Sequence, residues 1–351
     1  MIINFVGDIM PGRKIDIIIS RHNDLSKQIN KVLPPADHLI ANLETPFLIN
    51  GSKLKNKDPH LTFKVNPQKV HFLKEIGLTV ATLANNHITD YGREGVISTL
   101  QTLADAGIMH TGAGTTIKEA INPVVLTDNN SRIALLAFNA FVLFSTPAEK
   151  EKSGVAWFDS RTIEEAIEYA GEISDSIILS IHWGIDYCHY PVPALINRAK
   201  KLFDRFSKII CIVGHHPHLQ QPVISHNNKS IFCSLGNFIF DEPFFLSRIG
   251  SVLTLYVENN LLIDYSIKYT CLNNEYKLEE LSNEMSIEEN DRITKVLQKI
   301  HNESYEFLNM DKKWIKCLIY QVIRYFDLNS LRFLSDNYST AKILKILLKY
   351  D

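Results

Sequence analysis

Three histidines fall within four positions of the stretch IICIVGHHPHLQQP, which covers residues 209–222. His215, His216 and His218 follow an apolar run that ends at Gly214. Imidazoles serve as metal ligands and as proton-transfer groups. On an extended segment, side chains two positions apart point the same way, so His216 and His218 could together grip a metal pair. The alternative is a polar loop in which histidines happen to cluster.

Four other apolar runs also end in polar residues that could do chemistry. Their ends carry two carboxylates, an amide and two further imidazoles: Asp8, Glu44, Asn86, His87 and His182. In open α/β sheets, ligands bind at the carboxyl ends of the strands. A mixed set of oxygen and imidazole donors suits Mn²⁺, Fe or Zn²⁺ better than a thiolate site would. The sequence therefore predicts a divalent metal site at one sheet edge.

The elements that must position these residues are short buried strands alternating with amphipathic helices. Apolar runs predict strands over residues 2–8, 38–44, 78–87, 132–140, 176–184, 208–218 and 230–238. Helical periodicity predicts helices over 93–107, with Gly107 as the stop, and over 162–173 and 193–206. This alternation is typical of a layered α/β domain.

The pattern changes after residue 250. Residues 251–269 predict two strands joined by a turn at Asn259–Asn260. From about residue 287 the chain turns helical, with amphipathic segments at 314–327 and 340–350. We predict a main domain over 1–275 and a helical C-terminal extension over 285–351. These helices either pack on their own domain or form a basic face for a partner or a membrane surface.

Composition narrows the function classes. The 351 residues carry a net charge of −2, with 45% apolar and 22% charged residues, which is ordinary for a globular protein and argues against a nucleic-acid partner. The five cysteines lack CxxC spacing, which favours a reducing compartment. We see no signal-peptide core and no run of about 18 apolar residues that would span a membrane. We therefore expect a cytoplasmic protein, with membrane association only through the C-terminal helices; the oligomeric state stays open.

Six motifs in order give the chain a family resemblance. They are GDIMPGR (7–13), ANLETPF (41–47), LANNHITDYG (83–92), IHWGIDY (181–187), GHHPHLQQP (214–222) and SLGNFIFD (234–241). Together they resemble the CapA family of poly-γ-glutamate capsule biosynthesis, a branch of the calcineurin-like metallophosphoesterase superfamily, over residues 1–245. The resemblance implies a four-layer αββα sandwich around a dinuclear metal centre.

The resemblance also implies roles for individual residues. The metal ligands would be Asp8, Glu44, Asn86, His182, His216 and His218. The catalytic residues would be His87 as proton donor or oxyanion stabiliser, Asp90 as the group that orients His87, and Arg13 as the cation for an anionic substrate group. The substrate-binding residues would be His215, Asp186 and Asn237.

Three positions leave questions within this pattern. Met10 stands where the superfamily usually has a histidine, and a thioether is a poor ligand for a hard metal, so one ligand is lost or replaced. His215 directly follows Gly214, as the first ligating histidine does in the superfamily, so the choice between His215 and His216 is open. Asp186 replaces the usual glutamate and could fix the tautomer of His182.

Three functions are compatible with these residues. The first is a hydrolase in which two metal ions generate a hydroxide that attacks a phosphoester or a γ-glutamyl amide of an anionic small molecule or polymer. The second is a component of capsule polymer biosynthesis. The third is a non-catalytic binding relative, supported mainly by Met10. Fold and ligands alone do not choose the substrate.

Overall fold

The computed structural model of the chain describes residues 1–302, except 22–23, 54–60, 130, 141–144 and 243, with side chains described to residue 298. The predicted helices over 314–327 and 340–350, and with them most of the predicted extension, lie outside the described residues. Among the helices that are described, none combines the length and the apolar character needed to cross a bilayer.

The first of two large sheets has eight strands and contains the N-terminus of the chain. Its parallel half holds β1 (Ile2–Ile9), β2 (His38–Leu43), β3 (Val80–Thr82) and β4 (Met109–Thr111). On the other side of β1, the antiparallel strands are β14 (Ile249–Glu258), β15 (Leu261–Leu272) and β16 (Leu278–Glu280), and β13 (Asn237–Ile239) also pairs with β1.

The second sheet has six strands, and its four central strands are parallel. In spatial order the strands are β11 (Gln220–His226), β12 (Lys229–Leu235), β10 (Ile209–His215), β9 (Ser176–His182), β7 (Arg132–Asn139) and β6 (Val124–Thr127). The edge strands β11 and β6 run antiparallel to their neighbours. A small separate sheet pairs β5 (Ala113–Gly114) with β8 (Gly154–Val155).

The described α-helices cover the outer faces of the two sheets. They are α1 (Arg13–Arg21), α2 (Leu25–Val32), α3 (Val70–Glu75), α4 (Gly92–Asp105), α5 (Ile117–Ala120), α6 (Ser160–Ile173), α7 (Pro193–Arg205) and α8 (Asn283–Asn302). Ile29, Leu73 and Leu103 of α2, α3 and α4 share one core with the first sheet. Ala166 and Ala199 of α6 and α7 share another with the second sheet.

A third core lies between the two sheets and completes the layering. Phe5 of β1 and Ile40 of β2 belong to the same buried cluster as Ile178 of β9 and Val213 of β10. Strands that are buried on both faces explain why these runs read as continuously apolar in the sequence. The predicted four-layer αββα sandwich is therefore confirmed.

Several local predictions are confirmed as well. The antiparallel pair β14–β15 turns at Asn259 and Asn260, whose φ angles of 49° and 64° are those of a tight hairpin turn. Helix α4 ends at Asp105, and Gly107 follows with a φ of 73°, the conformation that glycine adopts without strain.

In three of the predicted strands the backbone turns inside the apolar run, so that the strand ends early or divides. The strand predicted over 78–87 is β3, which ends at Thr82, because the Asn85 side chain accepts hydrogen bonds from the backbone of His87 and Ile88 and turns the chain. The strand predicted over 208–218 ends at His215, since His216 and His218 have positive φ. The run 230–238 divides between β12 and β13 at Gly236, where φ is 65°.

Helix α8, the start of the predicted extension, is anchored to the second sheet through hydrogen bonds of Arg292. Its guanidinium donates to the backbone oxygen of Gln220 at 2.9 Å and contacts His189, while Glu289 one turn earlier accepts from it at 2.8 Å. Glu289 is buried, and a buried carboxylate is costly unless it is paired. Gln220 lies two residues beyond His218, so α8 supports a loop that carries predicted site residues.

We predict that Arg292→Met lowers the free energy of unfolding by about 2 kcal/mol, because the buried Glu289 and the Gln220 carbonyl lose their donor. Urea unfolding of the full chain measures the change. Lys295→Met, at an exposed position of the same helix, is the matched control and should stay within about 0.5 kcal/mol of the parent. Equal effects of the two substitutions would contradict the anchoring role of Arg292.

Candidate metal centre

The predicted ligands meet where the parallel strands of both sheets end. Asp8 lies near the end of β1, and Glu44 directly follows β2. His182 and His215 are the last residues of β9 and β10 and are paired with each other in the sheet register. All of the predicted metal ligands are buried. The topology therefore brings together residues that are far apart in the sequence.

Two glycines allow neighbouring backbone to lie close beside this cluster. A Cβ atom on Gly7 would lie 2.1 Å from the carbonyl oxygen of Gly236, and one on Gly214 would lie 2.0 Å from that of Cys233. No side chain fits at either distance. Because Gly7 precedes Asp8 and Gly214 precedes His215, the close approach occurs beside predicted site residues.

Glu44 is the residue shared by two groups of candidate ligands. One group is Asp8, Glu44 and His182, and the other is Glu44, His216 and His218; within each, ligand atoms lie within 4.8 Å of one another. Glu44 Oε1 is 3.7 Å from His182 Nε2 and 3.9 Å from His218 Nε2. Two ligands each about 2.1 Å from one ion can lie up to about 4.2 Å apart. The carboxylate and imidazole donors thus fit divalent ions on both sides of Glu44.

His182 and Asn86 form the amide–imidazole part of the cluster. Asn86 Oδ1 lies 2.7 Å from His182 Nε2. Burial, together with the repulsion of the neighbouring imidazoles of His216, His215, His218 and His87, holds the pKa of His182 well below its usual value of 6.5. A neutral imidazole keeps the lone pair that metal binding requires.

Asp8 is ionised by its polar neighbours despite complete burial. Burial alone would raise the pKa of this carboxyl, but the hydrogen bond from His215, the charges of His215 and His218 and the Asn42 amide outweigh it and lower the pKa below 3.8. His215 Nδ1 lies 3.1 Å from Asp8 Oδ1, and Asn42 Nδ2 donates to the same oxygen at 2.8 Å. The carboxylate form is the one that binds a metal ion.

An amide network behind the cluster was missed by the sequence analysis. Asn42 Nδ2 donates to Asp8 and lies 3.3 Å from His182 Nδ1, so one side chain orients two candidate ligands. Asn85 Nδ2 in turn donates to Asn42 Oδ1 at 3.0 Å and to the Leu43 carbonyl at 2.8 Å. Both asparagines belong to quoted motifs, ANLE and NNH, but only the fold shows that they touch.

The histidine loop is not extended, so the alternation argument for His216 and His218 was wrong. Their φ angles are 97° and 55°, and the three histidines all reach the cluster from a tightly turned segment. His218 Nδ1 lies 2.8 Å from Asn237 Oδ1, which leaves Nε2 directed towards Glu44. The geometry groups His216 and His218 with Glu44, and places His215 beside Asp8.

Asp186 and Asn237, for which substrate binding stays a prediction, each lie beside a histidine of the cluster. Asp186 is fully buried, with Oδ1 3.0 Å from His216 Nε2, so it accompanies His216 and not the expected His182. Asn237 contacts His218 through its oxygen and donates through its nitrogen to the Ser247 carbonyl. Both side chains therefore orient candidate ligands, a role typical of outer-shell residues at metal sites.

His87 and Asp90 form a pair beside the same cluster. His87 Nδ1 lies 3.0 Å from Asp90 Oδ2, and His87 Nε2 lies 3.8 Å from Glu44 Oε1. The predicted contact of Asp90 with His87 is therefore present, and the other ring nitrogen is directed towards the candidate ligands.

Arg13, predicted to bind an anionic substrate group, is paired with carboxylates of the chain itself. Its Nε donates to Asp241 Oδ1 at 2.7 Å, its terminal nitrogen contacts the same carboxylate, and Glu242 lies 3.8 Å away. The Arg13 backbone has a φ of 51°.

Met10, at the position of the missing histidine ligand, is buried against Phe63 and Phe240. Its thioether belongs to an apolar cluster.

Comparison with known proteins agrees with the resemblance that the six sequence motifs indicate. The sequence model described as "Bacterial capsule synthesis protein PGA_cap" matches residues 2–242. Capsule biosynthesis protein CapA of Bacillus anthracis is 31% identical over 262 residues, which cover 73% of this chain and 63% of that protein. PGA biosynthesis protein CapA of Bacillus subtilis (strain 168) is 29% identical over 260 residues, which cover 73% of this chain and 68% of that protein. The match thus spans less than two thirds of the first relative.

Among solved structures, the fold is distantly similar to a 5'-nucleotidase precursor from Thermus thermophilus. The two share 10% sequence identity with a TM-score of 0.47, over 86% of this chain and 59% of the other. Similarity at this level says nothing about the chemistry of this chain, which depends on the residues described above.

We predict that the chelator-treated protein rebinds two Mn²⁺ ions per chain, and that Glu44→Gln weakens both binding events at least about 100-fold, because ligand loss exceeds typical outer-shell effects. His218→Gln should weaken one event more than the other, since His218 belongs to only one group. Calorimetric titration and elemental analysis measure both.

Glu165→Gln, at an exposed position of α6, removes the same charge away from the cluster and should leave Mn²⁺ binding unchanged. The assignment of Glu44 as the shared ligand would be wrong if Glu44→Gln and Glu165→Gln bound Mn²⁺ alike.

Proposed function

The chain belongs to the bacterial capsule synthesis protein PGA_cap family, and from this premise we propose that it is a divalent-metal-dependent hydrolase of a phosphoester or a γ-glutamyl amide. The observation that carries the proposal is the His87–Asp90 pair directed at Glu44, the residue shared by both candidate ligand groups. A site that only held a structural metal would have no use for a buried proton donor beside its ligands.

With metal ions bound, the site would promote hydrolysis in two ways. Divalent ions bound by the two groups would lower the pKa of a water nucleophile and stabilise charge on the oxygens of the scissile group. Asp8, Glu44, Asn86, His182, His216 and His218 would hold them, oriented by Asn42, Asp186 and Asn237. Oriented, buried ligands keep their geometry during turnover.

His87 moves the proton in this scheme. Asp90 accepts the hydrogen bond from Nδ1 and stabilises the imidazolium, whose Nε2 proton is given to the departing oxygen or nitrogen. His87 is buried, so bulk water does not compete readily for that proton. The same arrangement serves an alkoxide from a phosphoester and an amine from an amide.

The names of the relatives favour the amide over the phosphoester. One relative is called a PGA biosynthesis protein, and PGA here is poly-γ-glutamate, a polymer of γ-glutamyl amide bonds. The superfamily resemblance favours the phosphoester. In either case the substrate is anionic, a small molecule or a polymer. Direct assay of both bond types decides between them.

A second candidate is a role in capsule polymer biosynthesis without hydrolysis by this chain. Both relatives are named for biosynthesis and not for a hydrolytic reaction. In that case the metal centre would bind the polymer, and the His87–Asp90 pair would contact it without transferring a proton.

We predict that the Mn²⁺-loaded protein hydrolyses one of three probes: diphenyl phosphate, phenyl phosphate or poly-γ-glutamate. The leaving group of each probe needs a proton as it departs, so His87→Asn should lower kcat on the active probe by about 10²–10⁴-fold, the usual contribution of a general acid. Release of phenol, or of new amino groups from the polymer, measures the rate.

The matched control is His71→Asn, which changes an exposed histidine of α3 and should leave kcat unchanged. Equal rates for the two variants would remove His87 as proton donor. No hydrolysis of any probe by protein shown to contain metal would contradict the hydrolase and favour the biosynthetic role.

A further inference from the structure

Phe63 is a buried aromatic residue that stacks on the imidazole of His87. The two ring centroids are 4.0 Å apart and the ring planes differ by 17°. A phenyl ring that only filled the core could meet its neighbours edge-on, as Phe63 does with Phe240 at 73°. The nearly parallel contact with His87 instead covers the face of a residue that lies beside the candidate ligands.

One carboxylate oxygen of Asp90 contacts both Phe63 and His87. Oδ2 of Asp90 accepts from the Phe63 backbone nitrogen at 2.7 Å and lies 3.0 Å from His87 Nδ1. A hydrogen bond at Nδ1 fixes one point of the imidazole but leaves the tilt of the ring less constrained. The stacked phenyl ring fixes the plane, and together the two contacts fix the direction of Nε2.

The guanidinium of Arg13 lies over the ring of Phe63. Its guanidinium carbon lies 4.8 Å from the centroid of the Phe63 ring, within the range of a cation–π contact. Asp241 holds that guanidinium in turn, through Nε at 2.7 Å. Through these two contacts Arg13 supports the position of the Phe63 ring.

We propose that Phe63 is a positioning residue of the hydrolysis: by stacking on His87 it fixes the plane of the imidazole and so the direction in which Nε2 delivers its proton. This inference rests on the proposed function of His87. Proton transfer depends steeply on the distance and angle between donor and acceptor, so a freely tilting imidazole would transfer its proton less often.

The first test compares two phosphate esters that are identical except for the leaving group. The leaving group is phenolate in one ester and 4-nitrophenolate in the other. Phenolate needs a proton as it departs, whereas 4-nitrophenolate departs readily without one. Phe63→Leu, which keeps apolar volume but removes the ring, should lower kcat about tenfold or more on the phenyl ester, a part of the usual contribution of a general acid. The KM should not change, and the loss on the 4-nitrophenyl ester should be much smaller.

Met10→Leu is the matched control, because Met10 belongs to the same apolar cluster with Phe63 and Phe240 and the change conserves volume. It should leave kcat on both esters within about twofold, as volume-conserving core changes usually do. If Phe63→Leu lowered kcat equally on both esters, or changed only KM, the residue would be a packing residue and the proposal would be overturned.

A second measurement detects the stacking of Phe63 on His87 by NMR and does not require activity. In the metal-free protein, the ring current of Phe63 should shift the imidazole C–H proton resonances of His87 upfield, and these resonances are assigned by their loss in His87→Asn. They should move downfield in Phe63→Leu and stay in place in Met10→Leu. Unchanged resonances in Phe63→Leu would overturn the proposal whatever the activity. If the protein is active but the His87 resonances show no stacking, only the role of Phe63 is refuted. If metal-loaded protein with an intact stack hydrolyses neither ester nor poly-γ-glutamate, the proton-transfer function is refuted, and the positioning role with it.

Discussion

The structure of the site depends on one buried carboxylate, Glu44, surrounded by imidazoles. Glu44 Oε1 has His182, His218 and His87 nitrogens within 3.9 Å. An ionised carboxylate without compensation is very costly to bury, and the neighbouring His182 is held neutral by burial and by the other imidazoles. Divalent cations are the groups that satisfy carboxylates and neutral imidazoles together. The close packing of strands, the two tight glycines and the amide network all maintain this cluster of donors.

The fold explains how such distant residues reach Glu44. Parallel strands from both sheets end at one edge, and β1, β2, β9 and β10 each have a polar residue at or next to their last position: Asp8, Glu44, His182 and His215. The intersheet core holds the two edges together, so Asp8 of β1 and His215 of β10 are in contact. Outer contacts, such as Asp186 with His216 and Asn237 with His218, then set the direction of individual rings. The contacts that pack the two sheets at this edge therefore also position the candidate ligands.

Much of this arrangement could be predicted from the sequence, because apolar runs followed by polar residues directly encode buried strands and their ends. The alternation of strands and helices and the hairpin at Asn259–Asn260 follow from local patterns. The four-layer sandwich and the contact between His87 and Asp90 are implied by the family resemblance. Contacts between segments could not be predicted in this way. The pairing of Arg13 with Asp241 joins residues 228 positions apart, and the Asn42–Asp8 contact crosses between strands. The positive φ of His216 and His218 was also hidden, since an apolar run predicts extension and does not show where it stops.

We infer that Glu44 is shared by two metal ions, and crystals grown with Mn²⁺ test this inference most directly. Diffraction would be measured at the manganese absorption edge, and the anomalous difference map would be inspected around Glu44. Two peaks are expected, each within bonding distance of Glu44, one beside His182 and the other beside His218. Absence of any peak beside Glu44, or a single peak that it does not touch, would contradict the sharing of Glu44.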